Sequence, residues 1–125
     1  MNESILLTIK KMLGLDTDYT PFDMDVVVLI NSAFMTLTQA NIGPKDGFRI
    51  RGPVETWNDF LTNSVLLEGA KEFIYLKVRQ VFDPPSSATV MEALKNSAEE
   101  LLWRLVVQSE SVEEFDFIPE DTHIP

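Results

Sequence analysis

Few side chains in this chain could do chemistry, and their spacing decides against most reactions. There is no cysteine, which removes thiolate nucleophiles, disulfides and zinc–sulfur sites. The one histidine, His123, stands two residues from Pro125, so neither a His-based triad nor a His-rich metal site is expected. Asp16-Thr17-Asp18 opens like a calcium loop, with carboxylates at its first and third positions. Pro21 then occupies the place that needs glycine, and Val27 the place that needs a bidentate glutamate. A solvated interhelical loop is the better reading. Gly43-Pro44-Lys45-Asp46-Gly47 has the glycines of a phosphate loop, but no strand precedes it and no Gly-Lys-Ser/Thr leads into a helix. The carboxylate pairs Glu99-Glu100 and Glu113-Glu114 fall on the polar side of a helix and in a tail, where neither burial nor a pocket is expected to tune them. The chain therefore reads as a non-enzyme with no cofactor and no metal.

Charge separates two regions. Ten Lys and Arg face twenty Asp and Glu, a net charge of −10. From Gln108 onward there are six acids and no Lys or Arg, so a nearly balanced body is followed by an acidic tail. Neither part has the clustered bases that phosphate contacts demand. Lys45, Arg49 and Arg51 make one local basic loop, which reads either as ordinary solvated surface or as a binding spot.

A length of 125 residues suits one domain with one core. No apolar run approaches the ~20 residues of a membrane span, and Met1-Asn2-Glu3 lacks a basic leader, which predicts a soluble, unexported protein. Helical stripes organise the body. The first covers about Glu3 to Leu13 (Ile5, Leu6, Ile9, Leu13), with Gly14 as a stop. The second starts at Thr20-Pro21-Phe22-Asp23, with Thr20 as cap and Asp23 closing a capping box, and runs to about Asn41 on Val26, Val27, Ile30, Phe34 and Leu37. Residues 42–55 are rich in Gly and Pro and read as an extended loop with room for a short strand or hairpin arm. Thr56–Leu61 forms one capped turn. A long helix from Ser64 to Phe82 carries Leu67, Ala70, Ile74, Val78 and Val81, and Asp83-Pro84-Pro85 ends it. The last helix, from Ser86-Ser87 to about Ser109, carries Val90, Leu94, Ala98, Leu101 and Leu105. The expected fold is all-α: a small bundle of four main helices, an extended loop between the second and third, and an acidic C-terminal tail. Residues 1–109 form the helical domain and 110–125 an acidic extended tail.

Some apolar residues stand on the wrong side of their helices. At ~100° per residue, Val28 and Met35 lie roughly 140–160° from the stripe centred on Ile30. Trp103 and Val107 point away from Leu101, on the side of Glu92 and Asn96. These four are candidates for a subunit interface. In the tail, Phe115, Phe117 and Ile118 cluster among Glu113, Glu114 and Asp116, a combination suited to docking on a partner.

Taken in order, the segments resemble the head–tail connector (adaptor, neck) proteins of tailed bacteriophages and prophages. The likeness runs through Leu29-Ile30-Asn31-Ser32-Ala33-Phe34, Ile42-Gly43-Pro44 with Gly47-Phe48 and Ile50, and Thr56-Trp57-Asn58-Asp59-Phe60-Leu61. It is strongest at Ile74-Tyr75-Leu76-Lys77-Val78-Arg79 with Phe82-Asp83-Pro84-Pro85-Ser86-Ser87, and resumes at Glu100-Leu101-Leu102-Trp103-Arg104-Leu105. It covers about residues 3–108. The resemblance implies a structural virion protein, made in the host cytoplasm and placed at the virion neck. It implies a twelvefold ring of identical subunits beneath the portal protein that extends the DNA channel and offers a platform for the next neck, stopper or tail-completion protein. DNA would pass through without sequence-specific binding, no membrane would be involved, and Trp57, Phe82 and Trp103 would be packing anchors. The rival reading of the composition is a free-standing acidic helical regulator or DNA mimic, which should carry its acids on a rigid folded face.

Overall fold

The computed structural model describes residues 3–122, with side chains through residue 111. Five helices follow one another: α1 (Ile5–Met12), α2 (Asp23–Gln39), α3 (Trp57–Phe60), α4 (Ser64–Phe82) and α5 (Ala88–Thr122). No strand occurs among the described residues, so the chain is all-α, with four substantial helices.

Local chemistry sets the helix ends. Ser4 Oγ accepts the Leu7 N–H at 3.2 Å and starts α1; Asn63 Oδ1 accepts the Leu66 N–H at 3.0 Å and starts α4. Gly14, at φ +83°, stops the first helix as its sequence position suggests. Asp59 Oδ2 accepts the Thr56 N–H at 2.9 Å and fixes the single turn of α3.

The α2 start departs from the expectation. Its N-cap is Phe22 and it makes no side-chain cap bond, so the Thr20 capping box does not form. The reason is Lys10. Its side chain is 1% exposed, and its Nζ lies 2.8 Å from Asp23 Oδ1 while donating to the Thr17 carbonyl at 3.0 Å and the Tyr19 carbonyl at 2.6 Å. The carboxylate that would have closed the box is drawn to an ammonium, and the loop that resembled a calcium site wraps its carbonyls around a lysine.

α4 is the central helix, packed against both α2 and α5, while α1 touches α2 and α4. Phe34, Ile30 and Leu37 of α2 meet Leu67, Ala70, Phe73 and Ile74 of α4 in one core with Ile5, Leu6 and Ile9 of α1. Gly69 permits the α4–α5 approach: a Cβ there would lie 2.7 Å from Leu105 Cδ2. The N-terminus is tied in by a bridge between Ser4 and Thr56, with Ile5 N–H on the Glu55 carbonyl at 3.0 Å and Trp57 N–H on the Glu3 carbonyl at 3.1 Å. Trp57 is fully buried, donates from Nε1 to Thr8 Oγ1 at 3.1 Å, and lies under Lys71 Nζ at 5.5 Å.

Three further expectations are corrected. Val81 and Val90, placed on buried stripes, are exposed. A stripe gives a direction and no neighbour, and at the α4–α5 corner it runs past anything that could cover it. Trp103 is exposed and so is no packing anchor within the chain, whereas Phe82 packs edge-on against Phe22 at 5.5 Å. Finally, α5 does not end near Ser109 but continues to Thr122, so the backbone of residues 110–122 is helical and not extended. The run from Ala88 to Ile118 contains neither glycine nor proline, and its glutamates are good helix formers.

Candidate functional site

Residues 42–55 form no strand or hairpin arm, yet they are firmly placed. The Asn31 side chain reaches out from α2 and treats Ile50 as a strand neighbour would. Its Oδ1 accepts the Ile50 N–H at 2.8 Å and its Nδ2 donates to the Ile50 carbonyl at 2.9 Å. Phe48 is held beside Phe34 and Phe60, with ring centroids 5.0 and 5.5 Å away. Gly43, at φ +95°, sits where any Cβ would strike the Phe60 ring.

This anchoring leaves a hollow of about 500 Å³ between the outward side of α2 and the loop, lined by Met35, Thr38, Asp46, Gly47, Phe48 and Arg49 with Asn31 at its edge. Met35 continues an exposed apolar row along α2: Met24, Val28 and Met35 are 77%, 60% and 64% exposed. Their spacing of four and seven residues puts them on one face, away from the core-facing Ile30 and Phe34. Lys45, Arg49 and Arg51 are exposed, and none forms an ion pair among the described residues. Arg49 lines the hollow; Lys45 lines a second one, of about 490 Å³, that reaches Val106, Ser109 and Glu110 of α5.

The outward side of α5 has a different make-up. Trp103 is 67% and Val107 41% exposed, one turn apart. Glu92, Glu99 and Glu100 flank them and are exposed, and Arg104 is tied to Glu100 at 2.7 Å. The Glu99-Glu100 pair is thus solvated surface. Both faces turn away from α4, which their helices flank. The structure brings Met35 next to Arg49, and Trp103 next to Val107, but holds the two groups on separate helices. Phe115, Phe117, Ile118, Glu113, Glu114 and Asp116 lie outside the residues whose side chains are described.

Two features escaped the sequence reading. Met24 stands four residues before Val28 on the same face and extends its row. Lys10 falls between Leu6 and Leu13 on the buried stripe of α1, a position at which a lysine must find internal partners. Among the described residues no group of three or more His, Asp or Glu could hold a metal ion, and no helix is long and apolar enough to cross a membrane.

What remains is a well-packed helical chain with two exposed apolar faces, and a family model for phage connector proteins matches it over residues 5–112. The chain belongs to the phage connector protein family. The match takes in α1 to α4, the anchored loop and α5 past Trp103 and Val107, and it stops before Phe115. No curated protein and no solved structure matches the connector. Membership carries a head–tail connector role at the neck of the virion, in a family that is structural and not enzymatic.

Proposed function

We propose that this connector closes into a ring of identical subunits, twelvefold as the resemblance implies, beneath the portal protein. The ring extends the DNA channel and presents a platform to the next neck or tail-completion protein. The observation that carries this reading is the pair of unlike apolar faces on one subunit, Val28 with Met35 and Trp103 with Val107. A ring of one chain requires a head-to-tail interface built from two different patches. Large apolar groups left in water on an otherwise closed core favour a covered state. The net charge of −10 suits a channel wall past which DNA slides without adhering.

The acidic segment from residue 110, with Glu113, Glu114, Phe115, Asp116, Phe117 and Ile118, serves as the docking segment toward the portal. Acids flanking aromatic anchors select a basic surface and speed encounter. Electron microscopy of the connector at high concentration, alone and with portal, tests the reading, with closed rings or ring density under the portal expected. Absence of both under all conditions overturns it. Deleting residues 110–125 should leave the helical body folded and weaken portal association, and binding by the intact chain should fall as salt rises. Unchanged portal affinity after the deletion removes the docking role from this segment.

A further inference from the structure

We propose that the interface of this ring is made by one contact, Trp103 of one subunit seated in the Met35–Phe48–Arg49 hollow of the next. This rests on the ring reading above and names the two surfaces that meet. Charge decides the pairing. Glu99 and Glu100 lie about one turn from Trp103 and Glu92 three turns before it, against Lys95 two turns before it and Arg104, which is bound to Glu100. The hollow lies on the loop bearing Lys45, Arg49 and Arg51, and Asp46 is its one acidic lining residue.

Three pairings of two faces are possible. Trp103 face on Trp103 face would set the Glu99–Glu100 acids against their own copies. Hollow on hollow would oppose Arg49 to Arg49. Each face carries some charge of both signs, but only the unlike pairing sets an excess of acid against an excess of base, and like-charge juxtaposition disfavours the other two.

Shape and position agree. The hollow, about 500 Å³, is roomy enough for an indole, and Val28 and Met24 continue the exposed apolar row along α2 beyond Met35. An exposed tryptophan entering a pocket edged with methionine and phenylalanine is the usual kind of interface anchor. The acceptor is built in advance, because the Asn31–Ile50 bonds and the Phe34–Phe48 contact hold the loop before any partner arrives. Little ordering cost is then left for binding. The two faces are different surfaces of one chain, so an unlike contact leaves one of each free on the growing assembly and propagates head to tail.

The absence of cysteine makes the test clean. Met35→Cys and Val107→Cys chains, full length, are prepared separately, assembled alone and as a mixture, and treated with a short bis-maleimide. A covalent dimer is expected in the mixture and not in either variant alone. Equal cross-linking within one variant overturns the unlike pairing. Rings seen by electron microscopy without mixed cross-links overturn the pairing and leave the ring reading standing; no assembly of the unmodified chain at any concentration overturns both. Should a cysteine variant fail to fold, Arg49→Glu is the second test. It should weaken assembly by about tenfold, and Glu99→Arg on the same chain should restore it; no effect, or no rescue, counts against the contact. Fluorescence gives an independent readout. Trp57 is buried throughout, so a blue shift on assembly reports Trp103, and an unchanged spectrum in formed rings overturns the proposal.

Discussion

Lys10 and Trp103 break the usual partition of side chains in opposite directions. Lys10 is a charge with 1% exposure, and Trp103 is a large apolar group with 67% exposure. Around Lys10 the chain supplies everything the exception needs: a carboxylate at 2.8 Å and two carbonyls within 3.0 Å. Around Trp103 it supplies only exposed charged side chains, Glu99, Glu100 and Arg104. A buried charge persists only where its partners are built in, because an unpaired one would cost several kcal/mol. An exposed tryptophan costs far less and can wait for a partner from outside. The α1 end is therefore complete within one chain, whereas the outward sides of α2 and α5 leave large apolar groups exposed.

Removing the internal partner should have the largest effect. Lys10→Met strands Asp23 and the Thr17 and Tyr19 carbonyls, and denaturant unfolding should show a loss of about 3 kcal/mol. Adding Asp23→Leu should recover part of it, since a carboxylate without a partner is worse than none. A loss below about 1 kcal/mol would place the Lys10 cluster among ordinary surface pairs.

Asn31→Ala removes both bonds to Ile50, whose N–H is then left without an acceptor. A loss of about 2 kcal/mol is expected, together with faster amide exchange through residues 46–50. Unchanged exchange would mean that Phe48 and Ile50 hold the loop without the amide.

Gly69→Ala sets two effects against each other. Alanine favours the helix by about 1 kcal/mol, while a Cβ 2.7 Å from Leu105 Cδ2 requires that buried side chain or α5 to shift, at a cost of about 1–3 kcal/mol. A net loss near 1 kcal/mol in thermal unfolding is expected. A gain would show that Leu105 rotates away freely.

The smallest stability effect should come from Trp103→Ala, within about 0.5 kcal/mol of the parent, because the side chain buries little within the chain. Its consequence should appear in assembly instead. A loss of stability as large as that of Lys10→Met would return Trp103 to the core and erase the contrast between the two regions.

The helices and their stops were open to sequence reading, because they depend on near neighbours. Gly14, Asp83-Pro84-Pro85 and the Asp59 turn act through their own backbone and a few residues on either side. The outward direction of Val28, Met35, Trp103 and Val107 followed from helical period alone, and their exposure agrees with it. Period cannot say whether a face is covered, which is why the stripes point Val81 and Val90 inward while both stand in water. Composition likewise could not end α5, since acids and aromatics near the C-terminus are compatible with either a helix or an extended segment.

By itself, then, the sequence determined the helical elements, the faces they bury and the absence of thiol chemistry, all of which rest on residue type and short-range geometry. Only the tertiary structure decided that Lys10 would claim Asp23 from its helix cap, that Asn31 would hold Ile50 nineteen positions away, and that Met35, Phe48 and Arg49 would surround one hollow. Each of these joins residues distant in the chain, and such contacts exist only after the helices have packed and fixed which groups lie within reach.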